Sequence, residues 1–172
     1  QPGTIDEAPV LQVEGATVGG AFADASLSVR PGEILGITGL LGSGRTELAL
    51  SLFGMLPLDS GTIRVTGKDV KLRGVRDAIA AGIAYVPEDR LTEGLFLSRS
   101  IGENITVSEM ENFTKALGFI DKKAIRDEEK KWVKRLEVVT PDPANAVNTL
   151  SGGNQQKVVL AKWLATNPSV LI

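Results

Sequence analysis

The segment Gly39-Leu40-Leu41-Gly42-Ser43-Gly44-Arg45-Thr46 sets three glycines, two hydroxyls and a cation within eight residues. Glycines let successive backbone N–H groups converge on the oxygens of an anion. A helix that begins directly after them adds the partial positive charge of its N-terminus. The chemistry this combination serves is the cradling of phosphate, and the spacing fits G-x-x-x-x-G-K-[ST] at every position but Arg45. Thr46 offers a hydroxyl to Mg²⁺ carried by a nucleotide, and Glu47 follows it. Arg45 stands where the pattern asks for Lys. A forked guanidinium keeps the charge but replaces a compact ammonium, which is not a conservative exchange at a tight site. A glycine-rich turn from strand to helix, with no ligand, is the plain alternative, because such loops also arise by chance.

A second stretch has the same character. Leu150-Ser151-Gly152-Gly153-Asn154-Gln155-Gln156-Lys157 puts a serine at an N-cap position, with two glycines beside it and a helix after it. Alone it reads equally well as an ordinary capped helix. Together with the upstream loop it makes a second anion-binding helix end in one small chain.

The elements that must hold these loops follow from periodicity. Val10–Val13 and Ala25–Val29 alternate as strands, and Ile34–Thr38 is a β-branched run that reads as a buried strand leading into the first loop. A helix from about Arg45 to Phe53 leaves it, with Leu48, Ala49, Leu52 and Phe53 on one face. Thr62–Thr66 reads as a strand, Val75–Ala81 as a helix capped by Gly82, and Ile83–Val86 as a buried strand ended by Pro87. Helices are expected at Ile101–Glu111, at Lys122–Glu137 and from about Gly153 to Ala165, and Val170–Ile172 starts another strand. The charge run in Lys122–Glu137 reads as a solvated helix face. Residues 1–9 read as a linker or tail. The pattern is α/β with an inserted helical block at about 95–165.

Composition narrows the field. The chain has 172 residues, 42% of them hydrophobic, which suffices for one domain with a core. No apolar run approaches a membrane span. A net charge of −2 argues against nucleic acid as the main partner. Without Cys or His a zinc site is not expected.

At this point the sequence resembles the ATP-binding-cassette (ABC) ATPases over about Val10–Ile172. LSGGNQQK at 150–157 matches their signature loop, and RPGE at 30–33 and DSG at 59–61 are similar to the family's flanks of the phosphate loop. Tyr85-Val86-Pro87-Glu88-Asp89-Arg90 falls where the family carries its Q-loop, with Glu88 in place of the usual Gln. The phosphate loop ending in Gly-Arg-Thr-Glu, the Pro-Glu-Asp-Arg segment and LSGGNQQKV together look like the second cassette of tandem-cassette importers of the ribose, galactose, arabinose and xylose group.

The resemblance implies a P-loop NTPase-type nucleotide-binding domain with an antiparallel β-subdomain and an inserted α-helical subdomain, stopping at the Walker B strand. It implies ATP and Mg²⁺ as cofactors. Gly39, Leu40, Gly42, Ser43, Gly44, Arg45, Thr46, Glu47 and Glu88 would hold nucleotide, and Thr46 and Glu88 would approach its Mg²⁺. Ser151, Gly152, Gly153, Asn154 and Gln155 form the signature loop; the first three would contact ATP held by a first cassette, in the same polypeptide but missing here, and Asn154, Gln155 and Gln156 would line the same interface. The catalytic Asp and Glu are expected after Ile172, so no catalytic residue is placed within the chain and this fragment alone is expected to be inactive. Phe22 is the one aromatic in the region where the family stacks adenine, and it reads first as a core residue. Leu95, Phe96 and Leu97, within Leu91–Ile105, would either dock against transmembrane permease subunits or fill the helical core. The implied setting is peripheral, on the cytoplasmic face of the inner membrane, with a periplasmic or extracellular sugar-binding protein as an indirect partner. Import of a nucleoside or signalling molecule, a soluble non-transport ABC protein, and a half that binds no nucleotide are the alternatives.

Overall fold

The first strand explains much of the first half of the chain. β1 (Leu11–Val18) buries Leu11 and Val13, then Ala16 and Val18. The two pairs are out of phase by one residue. A bulge absorbs the difference: the register of β1 shifts between Val13 and Ala16, where Gly15 takes φ +60°. An inserted residue at positive φ lets the strand keep its apolar side chains on one face after the kink. β1 pairs antiparallel with β2 (Phe22–Val29) and β3 (Ser60–Val65), and β4 (Lys68–Val70) completes a sheet of order β2-β1-β3-β4. On its solvent side Arg64 pairs with Asp69 at 2.7 Å and Glu14 at 3.2 Å, linking three strands.

This computed structural model describes residues 7–115 and 118–172. The expected tail at 1–9 therefore lies mostly outside the described residues. The chain divides into two units, one running up to Tyr85 and including Ser169–Ile172, the other Val86–Pro168.

The first unit also holds α1 (Arg45–Leu52), α2 (Val75–Ala80) and a two-stranded parallel sheet of β5 (Ile83–Ala84) and β6 (Val170–Leu171). Gly82, at φ +81°, ends α2 as expected. Leu48, Leu52 and Phe53 bury the inner face of α1. The Phe53 ring lies 5.5 Å from that of Tyr85, joining α1 to the end of β5.

One expectation fails here. Ile34–Thr38 forms no strand, and Ile34 is 96% exposed. Among the described strands none lies alongside it. Its backbone groups are left to solvent and its β-branched side chains have nothing to pack on.

In the second unit α3 (Ile101–Thr106), α4 (Lys122–Arg135) and α5 (Gly152–Ala165) enclose a core of Ile101, Ile105, Trp132, Val158 and Val159. This unit runs from Val86 to Pro168. Ser100 and Glu103 form a reciprocal capping box that starts α3. The expected single helix over Ile101–Glu111 breaks instead: after Thr106 the chain tightens into a 3-10 stretch, Val107–Phe113. Thr106 explains part of this, since its hydroxyl donates back to the Gly102 carbonyl at 3.0 Å, a contact that bends helices. Asp121 caps α4 by accepting from the N–H groups of Lys123 and Ala124. The side-chain hydrogen bond from Lys115, together with these N–H groups, holds its carboxyl down at about 2.

Candidate functional site

The phosphate loop is built by the first unit. Gly44 takes φ +82°, and a Cβ there would meet the Ala21 carbonyl oxygen at 2.7 Å and Phe22 Cβ at 2.9 Å. Only glycine lets the loop press against the start of β2 and turn into α1. Ser43 N–H donates to the Leu40 carbonyl at 3.1 Å, closing a turn with Gly42 at φ +77°. A Cβ on Gly39 would strike the Ser43 hydroxyl at 2.5 Å and lie 3.6 Å from Arg45 Cδ, so both side chains fold back over the start of the loop. Arg45 and Thr46 are exposed at the first turn of α1, where helix geometry leaves N–H groups without an intrahelical acceptor. Open donors, glycines that admit no side chain and an adjacent guanidinium fit a phosphate chain. The structure thus brings Gly39, Leu40, Gly42, Ser43, Gly44, Arg45, Thr46 and Glu47 together. Leu40 takes part through its backbone, its side chain being 86% exposed. Phe22 stands against Gly44, next to the loop.

The second loop is braced quite differently. Ser151, Gly152 and Gly153 are exposed at the N-terminus of α5. Ser151 is the N-cap residue, but its hydroxyl makes no capping bond to the backbone. It accepts from the Asn154 amide at 3.1 Å, while Asn154 Oδ1 accepts from Val139 N–H at 3.0 Å. Lys157 Nζ donates to the Glu137 carbonyl. Gln155, expected at a partner-facing surface, turns inward. It is buried and its amide donates to the Val147 carbonyl at 3.5 Å. Two residues past Gly153, just over half a turn round the helix, the position faces the helical core, and an amide there has to find an internal acceptor.

Glu88 is exposed in the second unit. Next to it, Asp89 accepts from the N–H groups of Leu91 and Thr92 and starts a single π-helical turn, Arg90–Gly94. These bonds, that of Leu91 foremost, hold the Asp89 carboxyl below its usual range. Beyond the turn, Leu95 is 8% exposed and belongs to the core, whereas Phe96 at 55% and Leu97 at 36% face solvent. The expected apolar surface thus shrinks to Phe96 and Leu97. The Asn104 side chain fixes it: fully buried, it accepts from Phe96 N–H at 2.8 Å and donates to the Phe96 carbonyl at 3.1 Å. A groove of about 420 Å³ adjoins it, lined by Phe96, Val107, Met110 and Ile125 with Arg99 and Glu103 among its charged members.

Sequence reasoning missed Arg90, Asn104 and Lys162. The Arg90 guanidinium lies against Gly152, where a Cβ would come within 2.8 Å of Nη2. Lys162, 5% exposed, donates from Nζ to the Gly94 carbonyl. Only the apolar spacing of α5 marked Lys162, which falls on the same face as Val158 and Val159.

A glycine-rich turn that feeds a helix N-terminus, beside an antiparallel sheet, and a second glycine-flanked helix start in a separate helical unit define a P-loop nucleotide-binding domain. Comparison with known proteins agrees in fold. The chain is similar to an ATP-binding cassette of an ABC transporter solved in its ADP conformation (TM-score 0.77, 22% identity, 95% of this chain and 67% of that one). It is also similar to a component of an ABC transporter complex from Clostridium perfringens (TM-score 0.73, 21% identity, 96% and 64%). The family described as ABC transporter matches residues 22–172, and the chain belongs to it. Its relatives include a putative ribose/galactose/methyl galactoside import ATP-binding protein of Rhizobium etli, 47% identical across 95% of this chain and 31% of the relative. A ribose import ATP-binding protein of Bacillus licheniformis is also 47% identical, across 95% and 33%. The chain spans about a third of the length of these curated relatives. Among the described residues no helix is long and apolar enough to cross a membrane.

Proposed function

We propose that the chain is the second ATP-binding cassette of the ATPase subunit of a monosaccharide importer. The observation that carries this is the pairing of an arginine-bearing phosphate loop, Gly39–Glu47, with an intact and well-braced signature loop, Ser151–Asn154, in a chain 47% identical to relatives named for ribose and galactose import. In the complete protein Ser151, Gly152 and Gly153 present exposed N–H groups and a helix N-terminus to the γ-phosphate of ATP held by the first cassette. The loop at 39–46 holds a second ATP, with backbone N–H groups and Arg45 on its phosphates. Thr46 would ligate the Mg²⁺ that the nucleotide carries, which neutralises phosphate charge. Arg45 departs from the Lys that favours turnover, so this second site binds nucleotide and hydrolyses it poorly. Phe96, Leu97 and the adjoining groove receive the permease subunits at the cytoplasmic face of the membrane, and a sugar-binding protein acts through them.

The test is a pair of variants in the complete ATPase. Ser151→Arg is expected to cut ATP turnover by roughly a hundredfold, in line with the loss of a transition-state donor, whereas Arg45→Ala should cost only about twofold. Normal turnover in Ser151→Arg would sink the proposal. The reverse pattern would move the competent site to this chain's own phosphate loop.

A further inference from the structure

Lys162 is a costly residue for its place. Its neighbours on α5, Val158, Val159 and Ala161, are fully buried, and it is itself only 5% exposed. A methionine would fill similar space without burying an ammonium, so packing does not account for the charge. Burial pulls this ammonium down to about 8. What the ammonium does in return is specific. Nζ donates to the carbonyl of Gly94, 68 positions away, and sits 5.2 Å from the Trp163 ring and 5.9 Å from the Phe96 ring. Gly94 itself lies flush on α5, since a Cβ there would come within 3.1 Å of Val159 Cγ2. The π-helical turn Arg90–Gly94 is therefore held to α5 at one end by Lys162 and at the other by Arg90 against Gly152.

We propose that Lys162 is a positioning residue that clamps the Phe96–Leu97 surface to the signature helix, so that a partner docking on that surface moves Ser151–Gly153. This rests on the reading of Phe96 and Leu97 as the permease-facing surface. The geometry makes α5 the lever: eleven residues of continuous helix, about 16 Å, separate Lys162 from Ser151. Lys162 touches neither nucleotide loop. Its removal should spare the chemistry and weaken the transmission.

The experiment uses the full-length ATPase with the permease and binding protein encoded alongside it, in lipid vesicles, with ribose and galactose as the sugars offered. ATPase activity is read without permease (basal) and with permease and sugar-loaded binding protein (stimulated). Lys162→Met is expected to keep basal activity within about twofold while the stimulation ratio falls about fivefold or more, a coupling loss of ordinary size. Lys162→Arg, which keeps the charge and a donor, should recover most of the ratio. Full stimulation in Lys162→Met overturns the proposal, as does an equal loss of basal and stimulated activity in both variants. Should Lys162→Met not fold, Gly94→Ala takes its place: it pushes the turn away from Val159 and must lower the ratio, and an unchanged ratio overturns the clamp. A wild-type subunit that permease and sugar do not stimulate overturns the transport reading and this inference with it, which is a distinct result from a stimulated wild type beside a fully coupled Lys162→Met.

Discussion

The two helix starts that define this chain use the same device and support it in opposite ways. At α1 the loop is held chiefly by close backbone packing: Gly44 presses on Ala21 and Phe22, and the turn from Leu40 to Ser43 closes on itself. At α5 the loop is held by side chains: Asn154 joins Ser151 to Val139, Gln155 reaches Val147, and Arg90 covers Gly152. A backbone-built loop fails abruptly when a side chain is added, because carbonyl and Cα positions have little freedom to give way. A side-chain-built loop fails by degrees, because each support removed is one hydrogen bond among several.

The sharpest way to break this comparison is Gly44→Val. A β-branched residue at φ +82° within 3 Å of a carbonyl should destabilise the first unit by about 2–3 kcal/mol. It should also abolish binding of a fluorescent ATP analogue, read by titration beside a denaturant melt. Asn154→Ala comes next. It removes the acceptor for Val139 N–H and the donor to Ser151, so a loss of about 1 kcal/mol in denaturant unfolding is expected. Gly152→Ala adds a Cβ at the second loop. The atom in its way is the tip of a flexible guanidinium, so the stability loss should stay under about 0.5 kcal/mol. A collapse as large as that of Gly44→Val would erase the distinction drawn here.

The smallest effect belongs to acid. The folded-state value of Asp121 lies near 2, below that of the unfolded chain, so its contribution is complete above about pH 4 and lost as pH falls toward 2. In Asp121→Asn the acid transition monitored by Trp fluorescence should be shallower across that window, while stability at neutral pH drops by the loss of the Lys115 contact alone.

What could be read from the sequence follows the same division. The phosphate loop was legible because its chemistry lives in the backbone and glycine spacing records backbone demands. The first half of β1 was legible for its alternation; the second half was not, because the bulge at Gly15 shifts the phase by one residue. Ile34–Thr38 carried every mark of a buried strand, yet burial depends on neighbours that local pattern does not encode. Gln155, expected at an interface, and Lys162 are drawn inward by main-chain acceptors, Val147 eight residues earlier and Gly94 68 residues earlier, which the local pattern does not record. Asn104 was hidden likewise, its partner being a main-chain group eight residues earlier.

The exposed run from Ile34 to Leu41 has a practical consequence. Between Glu33 and Arg45 there is no charge, and Ile34, Leu40 and Leu41 are almost wholly uncovered. Such a stretch is a template for strand addition between copies, with the flanking Glu33 and Arg45 as its gatekeepers. Concentrated solutions are therefore expected to scatter light, and Ile34→Lys, which sets a charge inside the run, is expected to lower that scatter.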